Sequence, residues 1–422
     1  MKIGYACLTI GVQNADFKSV TMKNATKDNL LKIITHNLNS LERIIDYNIK
    51  NNIQFFRISS DLIPFGSSPV NDLNWWEIFR EDFSSIGGKI KDSNMRVSMH
   101  PGQYTVLNSP DEDVVKRAIE DLNYHNRILK SLGTGRESKI ILHIGGVYND
   151  RENAMGRFIQ NYNLLSDEVK MRLVIENDDK SYNIGQVLDI GHHLNIPVVY
   201  DNLHNQVLPF DESKDDLYWI SEATKTWKKE DGAQKIHYSQ QDKGKRPGSH
   251  SRTIDLAEFI QFTTGLHKDI DIMLEVKDKN LSCVKCINGI TENPAIKNLE
   301  GEWSKYKYNV LEHSNSHYNK IRQLLKDKEN YPVVEFYSIL DEALNIESTT
   351  GGVINGALHV WGYFKSHATE AEKNKWLKLV DDYEDGNKTI NNLKSFLWKM
   401  SEKYKEEYLL NSYYFLNIRG NC

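Results

Sequence analysis

The chain of 422 residues is poor in cysteine. Its four cysteines, Cys7, Cys283, Cys286 and Cys422, offer no disulfide framework, which suits a reducing compartment. Cys283 and Cys286 form a CxxC with no second pair, so incidental thiols are expected there rather than a zinc knuckle. Any run of about 18 apolar residues is also missing, which excludes a membrane-spanning helix. The opening MKIGYACLTIGV is interrupted by Gly4, Tyr5 and Thr9 and no small-residue cleavage site follows. It reads as a first strand and not as a secretory leader. These absences together point to the cytoplasm. An excess of positive charge is missing too: the net charge is −5. That argues against an indiscriminate nucleic-acid binder but leaves room for a local basic groove. There is no internal repeat and no low-complexity tract.

What is present is a repeated grammar. Six short apolar runs each end in a metal-type ligand: RVSMHPGQY in His100, KIILHIGG in His143, RLVIEND in Glu176, PVVYDNLH in Asp201 and His204, QKIHYS in Lys235 and His237, and DIMLEVK in Glu275. A continuous apolar run is the pattern of a strand buried on both faces. A carboxylate at its end must be paired, hydrogen-bonded or on a metal, because an uncompensated buried charge is costly. Strands are expected at 2–8, 54–59, 95–100, 139–144, 172–176, 197–201, 234–238 and 271–276. Helical periodicity lies between them, including 29–49, 113–132, a short 158–165, 184–194 and 217–228. Eight alternating units argue for an α/β fold, a (β/α)8 TIM barrel. Only a closed ring brings six strand ends over one pocket.

The barrel is expected to occupy residues 1–280. A polar, partly helical connector follows at 281–330, then a small all-helical C-terminal domain at 331–422 with helices at 333–344, 353–365, 371–383 and 393–410. Imidazole mixed with carboxylate suits Zn, Mn or Fe. The ligands outnumber what one ion needs, so two or three ions are expected, with Glu176 and Asp201 central enough to bridge them. The loop QQDKGKRPGSHSR adds Lys243, Lys245, Arg246, His250 and Arg252 against Asp242 and reads as a clamp on phosphates. The loop PGQYTVLNSP offers Gln103 and Tyr104, which could stack on or replace a base. His125 and the other helical histidines are assigned no chemistry.

These motifs carry a resemblance. SSDLIPFGS, SMHPGQYTVLNSP, LHIGG, IENDDK, VYDNLHN, KIHYSQQ, GSHS and LEVKDK resemble the UV damage endonucleases of the UvsE group, over roughly residues 1–280. The resemblance implies a barrel related to abasic-site nucleases of the endonuclease four type. It implies a DNA repair enzyme that nicks duplex DNA immediately 5′ to cyclobutane dimers and 6-4 photoproducts, using up to three ions, typically Mn(2+). Glu176 would bridge ions, with Glu275, Asp201 and His237 on the most buried one. His204 and His250 would hold a second, His100 and His143 a third. Lys235 matches a lysine carried in carboxylated form, and Glu176, Lys235 and His237 are the expected catalytic residues. Gln103 and Tyr104 match a pair that wedges into the duplex, and Tyr5 a tyrosine near the damaged bases. Two departures stand out: Ser68 replaces a histidine ligand found in many members, and Thr9 replaces an asparagine. HVWGYFK and EYLLNSYYF resemble a YbgA-like helical domain. UV-damaged duplex is the expected partner, with no membrane and no nucleotide cofactor. An abasic-site endonuclease and a metal-dependent sugar isomerase on the same barrel are the alternatives, and a damage-binding module without nicking is a third.

Overall fold

The computed structural model describes residues 1–418. Eight parallel strands close into a barrel in chain order: β1 Ile3–Ala6, β2 Phe55–Ile58, β3 Arg96–Met99, β4 Ile140–His143, β5 Leu173–Glu176, β6 Val198–Asp201, β7 Gln234–Tyr238 and β8 Ile270–Leu274. β1 pairs in parallel with both β2 and β8, so no edge remains. The first closure is tight. A Cβ on Gly4 would sit 2.4 Å from the Phe55 carbonyl oxygen, so only glycine fits between β1 and β2.

Alternate strand residues point into the barrel, and they form three tiers. The amino ends carry a charged floor. Arg96 pairs with Asp271 at 3.0 Å and donates to the Ala233 carbonyl at 2.7 Å, while Lys139 pairs with Asp231 at 2.6 Å. Above it lies an apolar tier with Ala6, Phe55 and Met273 on one side and Ile141, Val174 and Val199 on the other. The carboxyl ends carry the histidines and carboxylates. Beneath that third tier the apolar side chains are joined by buried Lys235 and Ser98.

The outer helices begin where the caps say they should. Thr26 caps Lys27–Lys50, Asp111 caps Glu112–Ser131, and Asn183 with Gln186 forms a capping box for Ile184–Leu194. The short helix expected at 158–165 is instead Arg151–Tyr162, started by Asp150 accepting from the Asn153 amide at 3.1 Å. A further helix, Asp167–Arg172, runs directly into β5. The cap at Asp150 outweighs an apolar pattern that only becomes obvious later in the helix.

The chain divides into two compact units: Met1–Ile254 with Gln261–Val284, and Asp255–Ile260 with Lys285 onward. Residues 281–330 contain most of Asn280–Ile290 and all of Ile296–His313 and Asn315–Leu324. The second unit continues with Val333–Asn345, Thr350–Trp361, Glu370–Glu384, Ile390–Tyr404 and Glu407–Leu410. Its core joins Tyr308 to Trp361, Trp376, Leu397 and Phe415, and Trp361 stacks on Trp376 with centroids 5.2 Å apart. A buried pair, Lys394 with Glu312 at 2.9 Å, lies in the same unit. The single helix expected over 393–410 breaks at Lys405, whose left-handed backbone (φ 52) ends Ile390–Tyr404. No described helix is long and apolar enough to cross a membrane.

Candidate metal centre

Glu176 ends β5 and is 1% exposed. Its two carboxylate oxygens face four imidazoles. Oε1 accepts from His237 Nδ1 at 2.6 Å and lies 3.8 Å from His204 Nδ1. Oε2 lies 3.1 Å from His100 Nε2 and 3.7 Å from His143 Nε2. Burial alone would raise this carboxyl, but His237, His143 and His100 outweigh it and hold it well below the usual carboxylate range.

Two further carboxylates complete the tier. Asp201, at the end of β6, is fully buried, and its Oδ1 accepts from the His204 amide at 2.8 Å. Burial pushes Asp201 up to about 6 despite His204, and the nearby Glu176 and Glu275 charges add to the rise. Glu275 follows β8. It pairs with Arg57 of β2, lies 3.4 Å from His237 Nδ1, and is 3.7 Å from His250 Nε2. Burial opposes its charge, while Arg57 and His237 lower the carboxyl well below its ordinary value. His100 is lowered to about 4, because burial outweighs the pull of Glu176. Burial opposes the His204 charge, but Asp201, Glu176 and Glu275 carry it up to about 9.

Two buried carboxylates and a nearly buried third thus lie beside one guanidinium, which pairs with Glu275. Several ligand-type atoms have no protein partner: Asp201 Oδ2, His237 Nε2 and His143 Nδ1. Ligand atoms of His100, His143 and Glu176, and of Glu176, Asp201 and His237, lie within 4.8 Å of one another. Carboxylate charge beside unpartnered lone pairs in a largely buried site is what divalent cations relieve. The donor set therefore fits such ions.

Lys235 lies one inward position below His237 on β7 and is fully buried. Its Nζ contacts Ser98 Oγ at 3.0 Å and lies 5.2 Å from the Phe55 ring centroid. Burial, then the Arg57 and Arg96 charges, lower its ammonium well below the ordinary lysine value.

The outer candidates are exposed. After β3 a tight turn, with the Thr105 amide donating to Gly102 O at 3.0 Å, lifts Gln103 and Tyr104 into solvent, and Tyr104 is 84% exposed. Lys243, Lys245, Arg246 and Arg252 are exposed on a loop closed by the Asp242 amide on Ser249 O at 2.7 Å and the Ser251 amide on Gln240 O at 2.8 Å. Ser68 sits in a turn, its Oγ accepting from the Val70 amide at 3.3 Å. Cys283 and Cys286 are buried free thiols, and neither belongs to the clusters above.

Tyr5, expected beside damaged bases, is completely buried in the structure without DNA. Its hydroxyl lies 2.6 Å from Thr9 Oγ1 and donates to Asn48 Oδ1 at 2.7 Å. Gly4 and Ala6 take the inward positions of β1, so Tyr5 necessarily faces the helix Lys27–Lys50.

Reading the sequence missed the residues that hold these groups in place. Asn177 accepts from the Asp201 amide at 2.9 Å and offers its own carbonyl to His204 Nδ1 at 2.8 Å. Arg57 could have been flagged as a cation inside an apolar strand, FFRI. The helix Glu112–Ser131 braces two loops. Tyr124 donates to Ser60 O at 2.7 Å, and Asp121 accepts from Thr105 at 2.6 Å. His125 donates from Nδ1 to Asp121 O at 2.6 Å, which leaves Nε2 to accept from Ser60 Oγ at 2.9 Å.

Comparison with known proteins now bears on the site. The family model described as UV-endonuclease UvdE matches residues 1–307. This chain belongs to that family. A second model, a protein of unknown function named DUF1722, matches residues 307–417. A UV DNA damage endonuclease of Clostridium perfringens (strain 13 / Type A) is 41% identical over 389 residues, 91% of this chain and 93% of that relative. One from Bacillus velezensis is 32% identical, covering 68% of this chain and 90% of its own length. The crystal structure of SacUVDE superposes with a TM-score of 0.64 at 38% identity, over 68% of this chain and 96% of that one. Membership of the UvdE family makes the chain an endonuclease, an enzyme acting on DNA. The closed barrel agrees with the SacUVDE fold.

Proposed function

We propose that this UvdE-family endonuclease hydrolyses the phosphodiester 5′ to UV photoproducts, cyclobutane dimers and 6-4 photoproducts, in duplex DNA with two or three divalent ions, manganese being the expected metal. The observation that carries the reading is Glu176, one buried carboxylate facing four histidines beside unpartnered Asp201 and His237 atoms. His100, His143 and Glu176 would hold one ion, and Glu176, Asp201 and His237 another. Glu275, His204 and His250 would complete the set. Such ions polarise a phosphoryl group and make bound water acidic.

The protein groups have separate tasks. Arg57 fixes Glu275 and keeps it ionised; Asn177 fixes Asp201 and His204. A neutral Lys235 amine can add carbon dioxide, forming an N–C bond and releasing one proton, which would give a carbamate anion facing the site. Lys243, Lys245, Arg246 and Arg252 would track backbone phosphates. Gln103 and Tyr104 would enter a duplex already weakened by damage, where unstacking costs less. Residues 1–280 would supply the nuclease, and 331–422 an accessory part.

The test is incision of UV-irradiated, end-labelled duplex with manganese, against unirradiated and abasic duplexes and a chelated control. Cleavage 5′ to the dimer, abolished by chelation, is expected. Cutting confined to abasic duplex would select the abasic-site reading instead.

A further inference from the structure

Beside the metal-type cluster lies an open pocket of about 330 Å³ lined by Lys245, Arg246, Gly248, Ser249, His250, Val276, Lys277 and Lys279. It shares its wall with the cluster through His250, whose Nε2 is 3.7 Å from Glu275 Oε2. Its charge is one-sided. Lys277 is spent on Asp242 at 2.9 Å, which pins the loop in place. Lys279 forms no ion pair among the described residues, although Glu275 and Asp278 act on it at longer range. Arg246 forms none either.

The backbone at Lys279 adds a second observation. It is left-handed, with φ 51. Among the described residues, five of the ten non-glycine positions of this kind are asparagine (Asn14, Asn52, Asn94, Asn149, Asn195), which tolerates the conformation. A lysine there bears a strain that glycine would not. The strained backbone aims a half-buried cation that lacks a protein partner.

We propose that Lys279, with Lys245 and Arg246 across the cavity, forms a phosphate subsite that holds a backbone phosphate of the DNA strand next to the one at the metal-type cluster. The chemistry is that of a phosphodiester anion: three cations lining a pocket large enough to admit it, beside the groups that would act on its neighbour. Lys279 is a positioning residue in this scheme, setting where along the strand the scissile bond falls.

The subsite rests on the nuclease reading, yet the two fail separately. Full-length wild type and Lys279→Gly are compared on irradiated duplex over a salt series, with melting temperature and metal content measured alongside. Lys279→Gly is expected to raise KM about tenfold. It should flatten the slope of log(kcat/KM) against log[salt] by about 0.9, one phosphate contact. Metal content should stay unchanged and the melting temperature should not fall, since glycine suits the left-handed backbone. Lys279→Arg should restore most of the slope. Lys279→Gln removes the charge alone and reports the same quantities if the glycine variant does not fold. A wild type that leaves irradiated duplex intact overturns the nuclease reading. A wild type that cuts, with KM and slope unmoved in the variants, overturns the subsite alone.

Discussion

Glu176 and Asp231 are both buried carboxylates, and they answer to different chemistry. Glu176 faces four imidazoles, so removing its charge removes the common acceptor. Glu176→Gln is expected to lose bound metal and incision together, by about 100-fold or more in rate; full activity with full metal content would contradict the assignment. Asp231 belongs to the floor, holding Lys139 at 2.6 Å and Arg136 at 3.2 Å. Asp231→Asn leaves a buried ammonium without its partner and should cost about 3–5 kcal/mol in unfolding free energy. Burial works against the Asp231 charge, but the hydrogen bond and charge of Lys139 overcome it and lower the carboxyl below its ordinary value. A group depressed in this way stabilises the fold above the unfolded carboxyl's pKa of about 3.9 and stops doing so as pH falls through the lower folded value. Melting curves between about pH 2 and 6 should therefore show an acid-side loss in wild type that is smaller in Asp231→Asn. The histidines and carboxylates of the cluster were legible as endings of apolar runs. The burial of Tyr5 was not legible, because adjacent strand residues face opposite ways and one-dimensional order cannot say which side is the pocket.

At the scale of an element, the helix Glu112–Ser131 does more than cover the barrel. Tyr124, Asp121 and His125 fasten the loop after β2 and the loop after β3, where Gln103 and Tyr104 stand. Asp121→Asn or Thr105→Val should slacken that second loop, raising KM for irradiated duplex severalfold while metal content stays fixed. An unchanged KM with an unchanged fold would show that the brace has no bearing on substrate. Gly66 belongs to the same joint, because a Cβ there would lie 2.1 Å from the Tyr124 ring. Gly66→Ala should lower stability by about 1–3 kcal/mol through overpacking, read from denaturant unfolding. Periodicity alone finds this helix and its apolar face. It misses the brace, since Tyr124 and His125 look like ordinary helical residues until their partners, about 64 residues away at Ser60, are known.

For the whole molecule, the barrel collects charge that it does not itself neutralise. Binding ions to the folded state alone stabilises it by mass action, about 2.7 kcal/mol at a free concentration 100 times Kd. Chelation should lower the melting temperature and manganese should restore it; a melting temperature indifferent to both would argue against ions in this tier. The alternation of eight apolar runs with helical stretches was enough to determine a parallel closed sheet, because a strand buried on both faces leaves no room for polar interruption. The placing of a histidine or carboxylate after each of six runs was likewise enough to indicate that these side chains meet at one end of the barrel. Only tertiary structure decided which groups are partnered and which are left over. Arg57 falls to Glu275, Asn177 to Asp201, and Lys277 to Asp242, while His237 Nε2 and Asp201 Oδ2 are left without a protein partner. That division depends on distances across the barrel between residues remote in sequence, and an attraction that varies with separation and burial has no image in the order of the residues.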